Sequence, residues 1–251
     1  METEGAGATR PADDDLFNED AYLVDEGLGL YVVCDGLGDI PGGEVAASVA
    51  IEALGQFIEG TEVQLGGALQ RRMASRMFVG RAVRHAMESV VQAAQLQPHL
   101  TRMATTMTMM LTHGSGGVVG HVGDSRAYLL RDGQIHRLTA DHEWTEWLDL
   151  QDRNAISVDT FFVDLRPGDT YILCTDGAER IVEGSHLVDI AAGLSPRVLA
   201  SRIVSAAHEV DPCQDATVVV LRVREEQERG WLWLSAVPQD TTFGHAVGAS
   251  A

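Results

Sequence analysis

Residues 105–138 read TTMTMMLTHGSGGVVGHVGDSRAYLLRDGQIHRL, and this stretch decides the fold. Thr105–Thr112, Val118–Val122, Ala127–Leu130 and Gln134–Leu138 are short runs of β-branched, aromatic and long apolar residues, the composition of strands. Gly114–Gly117 and Asp132-Gly133 separate them, and Asp-Gly between such runs is a hairpin signal. The reading is an antiparallel meander. Downstream, Thr160–Leu165 and Tyr171–Cys174 extend it around the turn Pro167-Gly168-Asp169.

Working outward, Ala21–Asp25 and Leu30–Cys34 are two more strands around a Glu26-Gly27 turn. A helix starts near Glu44, with Ala47, Ala50, Ile51, Leu54, Phe57 and Ile58 at helical spacing. A longer helix is predicted over residues 65–95, with Leu69, Met73, Met77, Val83, Met87, Val90 and Ala94 as its apolar face. Arg71, Arg72, Arg76, Arg81 and Arg84 fall mainly off that face and read as solvated. Two short helices are expected near 184–192 and 196–208. Thr217–Val223 is a last strand, apolar enough to be covered on both faces. Strands, two helices, many strands, two helices and a strand are not a repeating βα unit. The expected class is α+β, an antiparallel β-sandwich flanked by helix pairs. Residues 1–14, small and acidic, read as a flexible tail, 15–224 as the domain, and 225–251 as an appendage.

The chain of 251 residues is 45% hydrophobic and 22% charged, globular in composition and long enough for a sizeable core. Its formal net charge of -19 argues against nucleic acid or an anionic membrane as partner. All 18 basic residues are arginine. Three cysteines and no CxxC point to reduced thiols, Cys34 and Cys174 buried, in a cytoplasmic protein. No apolar run approaches the ~20 residues of a membrane span.

Short acidic segments stand at the ends of these runs: Asn18-Glu19-Asp20, Asp35-Gly36, Gly123-Asp124-Ser125-Arg126, Thr175-Asp176-Gly177 and Gln214-Asp215-Ala216. A lone Asp-Gly is an ordinary turn. Five such places suggest strand ends that converge and deliver carboxylates to one point, the arrangement hard divalent cations require. Gly36 permits close approach of its carbonyl to an ion beside the Asp35 carboxylate. The histidines, among them His85, His113, His121, His136 and His208, lack metal-ligand spacing and read as packing or surface residues. Ser125 has no triad partners in the sequence and is not read as a nucleophile.

In this order the segments resemble the metal-dependent serine/threonine phosphatases of type 2C, in particular their bacterial branch. Asn18-Glu19-Asp20 is similar to the first motif of that family. Asp35-Gly36-Leu37-Gly38 with Gly43-Glu44-Val45-Ala46 is similar to the second. Ala104-Thr105-Thr106-Met107-Thr108 resembles its paired-threonine strand. Gly123-Asp124-Ser125-Arg126-Ala127-Tyr128 with Leu138-Thr139-Ala140-Asp141-His142 is the strongest match. Pro167-Gly168-Asp169, Cys174-Thr175-Asp176-Gly177 and Asp215-Ala216-Thr217 complete the set. The resemblance spans about 15–224 and implies a four-layer αββα sandwich with two or three manganese or magnesium ions. It implies that Asp35 bridges two ions, that the Gly36 carbonyl joins one, and that Asp176 and Asp215 hold the other. Glu19 and Asp20 would act through metal-bound water, and Asp124 with Asp176 would hold a third ion. The implied reaction is attack of metal-bound hydroxide on phosphoserine or phosphothreonine, with Asp35 and Asp176 acting through that water.

The chain departs from the family pattern in places. Asp15 stands where the family carries a phosphate-gripping arginine, and Arg10 is the candidate substitute. Gly38-Asp39-Ile40 replaces the usual Gly-Gly-His, Leu37 stands where animal members have a histidine, and Ala216 replaces an asparagine. Only residues 142–166 fill the flap region, so the expectation is an open site with little sequence preference, or one completed by a partner. The leading expectation is a phosphoprotein phosphatase opposing a serine/threonine kinase. The alternatives are a weakly catalytic module that binds a phosphoprotein or kinase, and a structural calcium protein, for which no loop has the alternating oxygen ligands.

Overall fold

A computed structural model describes residues 1–13, 17–37, 41–61, 68–142, 156–184, 186–191 and 193–225. Asp15, residues 38–40, the middle of the flap region (143–155) and nearly all of the 225–251 appendage lie outside the described residues.

Two five-stranded antiparallel sheets face each other. The strands are β1 (Glu2–Arg10), β2 (Asp20–Asp25), β3 (Leu30–Asp35), β4 (Met107–His113), β5 (Gly116–Val122), β6 (Arg126–Arg131), β7 (Gln134–Arg137), β8 (Asp159–Asp164), β9 (Thr170–Cys174) and β10 (Ala216–Arg224). One sheet has the order β2-β3-β4-β5-β8 and the other β1-β10-β9-β6-β7. Helices α1 (Gly43–Glu59) and α2 (Ala68–Leu96) cover the first sheet; α3 (Asp176–Val182), α4 (Leu187–Ala191) and α5 (Pro196–Val210) cover the second. The core has three parts, one under each helix layer and one between the sheets, where Tyr31, Val33, Met110 and Val119 meet Leu173, Val219 and Leu221. This is the αββα sandwich. Cys34 and Cys174 are buried free thiols, one in each helix-facing core.

Four expectations are corrected. The run from 105 to 174 is not one meander. The β4–β5 and β6–β7 hairpins form as expected, but the chain leaves the first sheet at Gly123-Asp124-Ser125, returns to it for β8 and crosses again at Pro167-Gly168-Asp169. Alternating patterns are the same whichever sheet a strand joins, so periodicity does not reveal a crossover. Residues 159–164, counted within the flap region, are β8 and pair with β5.

The tail reading fails for residues 2–10. They form β1, paired along its whole length with β10, from Glu2 opposite Arg224 to Arg10 opposite Ala216. Its glycines are required by packing: a Cβ on Gly5 would fall 2.3 Å from the Tyr31 ring and one on Gly7 2.1 Å from the Tyr22 ring. The two tyrosine rings lie across the glycines and pack against what would be a weak edge strand.

On α2, Met73 and Met77 are exposed, at 60% and 68%. The buried stripe runs through Val79, Ala82, Val83, Ala86, Met87, Val90 and Ala94. Met73 and Met77 sit roughly a third of a turn round from it. Finally, where two short helices were expected after β9, the described residues hold three: Asp176-Gly177 opens α3, with Thr175 extended at the N-cap position and making no side-chain cap bond. Ala178, Ile181 and Val182 at helical spacing, with Asp176 and Glu179 in the first turn, were the available signal.

Candidate metal centre

Because neighbouring strands run antiparallel, one end of the sandwich collects the C-terminal ends of some and the N-terminal ends of others. Asp35 ends β3, Asp20 begins β2, Asp124 precedes β6, Asp176 follows β9 and Asp215 precedes β10. Asp20 and Asp35 are direct cross-strand partners. Their side chains therefore share a face, and two carboxylates directly opposite one another repel. Asp176 lies close enough to Asp35 for its charge to act on the Asp35 carboxyl, so the two sheets also meet here.

Burial, with the charges of Asp20, Asp176, Asp124 and Asp215, pushes the Asp35 carboxyl well above the usual range. Asp20 is pushed to about 7, mainly by burial and further by Asp215 and Asp176, against the hydrogen bonds of Thr217 and Thr175. Burial also raises Asp124, with Asp176 adding to it, and raises Asp176. A protein does not crowd carboxylates in this way without a counter-charge.

The surroundings hold these groups in place. Thr105 donates its hydroxyl to the Asp35 carbonyl at 2.9 Å, and the Asp35 amide donates to the Thr106 hydroxyl at 3.0 Å. The Thr106 and Ser125 hydroxyls are 2.7 Å apart, and Ser125 is fully buried, as befits a structural serine. Thr175 donates to Asp20 Oδ2 at 2.8 Å and accepts the Thr217 amide at 3.0 Å. Asp215 accepts the Ala12 amide on Oδ1 at 2.7 Å and the Glu19 amide on Oδ2 at 2.6 Å. Close backbone approaches complete the frame. A Cβ on Gly36 would lie 2.3 Å from the Gly43 carbonyl, and one on Gly177 2.0 Å from the Asp215 carbonyl. Glycine is the residue both contacts allow. Glu19 packs its carboxyl against Gly43, at the start of α1, where a Cβ would stand 2.9 Å from Glu19 Cδ.

The fit to divalent cations rests on two observations. Asp20 Oδ1 is buried without a hydrogen-bond partner, and the donors around it are all hard oxygens. Among the described residues no three carboxylates, histidines or cysteines stand close enough to cage an ion directly.

The structure thus brings together Asp20, Asp35, Asp124, Asp176 and Asp215, with Gly36 and Glu19 at the same end. It does not bring in Arg10 as expected. β1 fixes Arg10, and strand alternation places it on the face of Ala8, which packs with the helix-side core, while Thr9 turns to meet Thr217 and Asn18. Thr175, Thr217 and the amides of Ala12 and Glu19 were missed from the sequence, because their roles depend on contacts across the two sheets.

A family model for protein phosphatase 2C matches residues 8–209. Serine/threonine protein phosphatase PstP of Mycobacterium tuberculosis is 28% identical over 233 residues, covering 82% of this chain and 42% of that protein, so the chain spans less than half of that relative. Serine/threonine phosphatase stp of Listeria welshimeri is 26% identical over 183 residues, covering 64% of this chain and 71% of its own. The crystal structure of the PstP catalytic domain in complex with two manganese ions superimposes with a TM-score of 0.73 at 25% identity, covering 89% of this chain and 99% of that one. The match across residues 8–209, together with an acidic centre built at the ends of two facing sheets, shows that the chain belongs to the protein phosphatase 2C family.

Proposed function

We propose that the chain hydrolyses phosphoserine and phosphothreonine in proteins, using divalent cations held by the acidic end of the sandwich. The observation that carries this reading is the pairing of Asp20 with Asp35 across β2 and β3, crowded by Asp124, Asp176 and Asp215. The relatives' activity and the manganese in the PstP structure support it.

Manganese or magnesium, two or three ions, would supply an activated water and a positive counterweight to the phosphoryl oxygens. Asp35, the Gly36 carbonyl, Asp176 and Asp215 would hold these ions. Glu19 and Asp20 would orient the surrounding water, and Asp124 with Asp176 would hold a further ion. Thr105 and Thr106 keep the Asp35 backbone still, and Thr175 engages one Asp20 oxygen while the other stays without a hydrogen-bond partner. Phosphorylated proteins are the proposed substrates, with a serine/threonine kinase as the opposing enzyme. Among the described residues no helix is long and apolar enough to cross a membrane, and a cytoplasmic site of action is part of the proposal.

The test is hydrolysis of a small aryl phosphate and of a phosphothreonine peptide, with and without manganese, by the wild type and Asp35→Ala. Manganese-dependent turnover lost in the variant is expected. Turnover equal in both would refute the assignment, and none in either would favour a binding module.

A further inference from the structure

Arg126 lies two residues beyond Asp124, at the start of β6, and its side chain is only 14% exposed. Its guanidinium has five N–H donors in a rigid fork. Nε and Nη2 donate to the two oxygens of Asp141, at 3.0 and 2.8 Å. Nη1 pairs with Glu179 at 2.6 Å as an ion pair and donates to Glu183 at 3.1 Å. Tyr128 donates to the same Glu183 oxygen at 2.9 Å, and Arg137 also donates to Asp141. The Thr139 hydroxyl accepts the Ala127 amide at 3.1 Å, two residues before Asp141.

Asp176, Glu179 and Glu183 are spaced i, i+3 and i+7, so they form one stripe along α3 and its C-cap. Arg126 therefore grips the lower two members of a stripe whose first member is Asp176. On its other side it is covalently tied to Asp124. From this geometry we infer that Arg126 is a positioning residue: it sets the separation between Asp124 on β6 and Asp176 on α3, so that the two carboxylates can share a cation. The inference rests on the metal-centre reading above. Lysine cannot replace it, because one ammonium on a flexible stem cannot fork onto Asp141 while reaching two glutamates on another element.

Charge and geometry make opposite claims here, which makes the role testable. Removing a nearby positive charge would by itself strengthen cation binding. Losing the separation would weaken it. The experiment is a calorimetric manganese titration of the metal-stripped chain, with thermal unfolding in EDTA alongside, for the wild type, Asp124→Asn, Arg126→Lys and Arg126→Met. Asp124→Asn identifies the site that depends on Asp124. Arg126→Lys, which keeps the charge, is expected to weaken that same site by about tenfold or more and to leave the other sites alone, the range seen when groups that orient ligands are removed. Arg126→Met is expected to weaken it as well. Wild-type affinity at that site in Arg126→Lys overturns the positioning role, as does tighter binding in Arg126→Met. Equal weakening of all sites with a lowered unfolding temperature overturns it too, since Arg126 would then serve the fold. If Asp124→Asn removes no manganese site, the metal reading at Asp124 fails and takes this inference with it. If it removes one and Arg126→Lys does not, the positioning role alone fails.

Discussion

Asp35 and Asp215, on opposite sheets, are held in opposite ways. On the β2–β3 side, hydroxyls of Thr105 and Thr106 grip the backbone of Asp35. On the β9–β10 side, the Asp215 carboxylate itself is engaged by the Ala12 and Glu19 amides, so it latches the segment leading from β1 to β2. Asp35 is thus charge placed for an ion at a cost to the bare fold, while Asp215 is both a candidate ligand and a structural clasp. The difference teaches that removing either should silence the site, but with opposite effects on stability.

The largest expected effect tests the first half. Asp35→Asn should lower manganese-dependent turnover by at least ~10²–10³-fold, the scale of losing one electrostatic element of a reaction centre. In EDTA the same variant should unfold at a higher temperature than the wild type, because a desolvated, repelled carboxylate has gone. A lower unfolding temperature would break the comparison. Asp215→Ala should lose turnover and also about 3–5 kcal/mol of stability, since two backbone amides lose bonds to a charged acceptor. Chemical denaturation in EDTA reads this directly, and a neutral effect would show that the clasp does nothing.

The metal-free chain should also become less stable as pH rises. The Asp20 carboxyl titrates at about 7 in the folded chain, against 3.8 as the ordinary value. Between those values the folded state binds more protons than the unfolded state. The stabilising contribution is full below about pH 4 and is lost by pH 7, amounting to about 4 kcal/mol at most. Asp35 is shifted in the same direction. Unfolding temperatures in EDTA across pH 4–8 should show the fall, Asp20→Asn should flatten it, and manganese should restore most stability at the alkaline end. A curve rising with pH would contradict the burial argument.

Thr106→Val should cost about 1–3 kcal/mol, by leaving the buried Asp35 amide and the Ser125 hydroxyl without their shared partner. The smallest effect is expected far from the centre. Arg72 stacks 4.4 Å from the Phe162 ring centroid and pairs with Asp164, but both charged side chains are half exposed or more. Arg72→Ala should change stability by less than about 1 kcal/mol and leave manganese-dependent turnover intact.

Much of the centre was legible residue by residue. The strands around Glu26-Gly27 already oppose Asp20 and Asp35 once their hairpin register is drawn, and Asp124, Asp176 and Asp215 each flank a strand. The gripping groups were not legible. Nothing local to Thr175 indicates that its hydroxyl meets Asp20, 155 positions earlier. β1 escaped because Gly and Ala are weak strand formers, and only the tyrosines of the facing sheet make them fit. Met73 and Met77 were misplaced because apolar residues at helical spacing define a stripe, while its orientation toward the sheet depends on which neighbours are larger in number.

Local chemistry written along the chain was enough for the strands around residues 105–138, the αββα class, the family and the placement of carboxylates at strand ends. Periodicity and turn residues act over a few positions, and motifs carry their own identity. The division of the strands between two sheets, the closing of β1 onto β10, the latch of Asp215 on the Ala12 and Glu19 amides and the knot at Arg126 were settled by folding. Each is a choice of partner across long stretches of chain. A backbone amide or a guanidinium bonds equally well to many acceptors, and packing alone decides which one it meets.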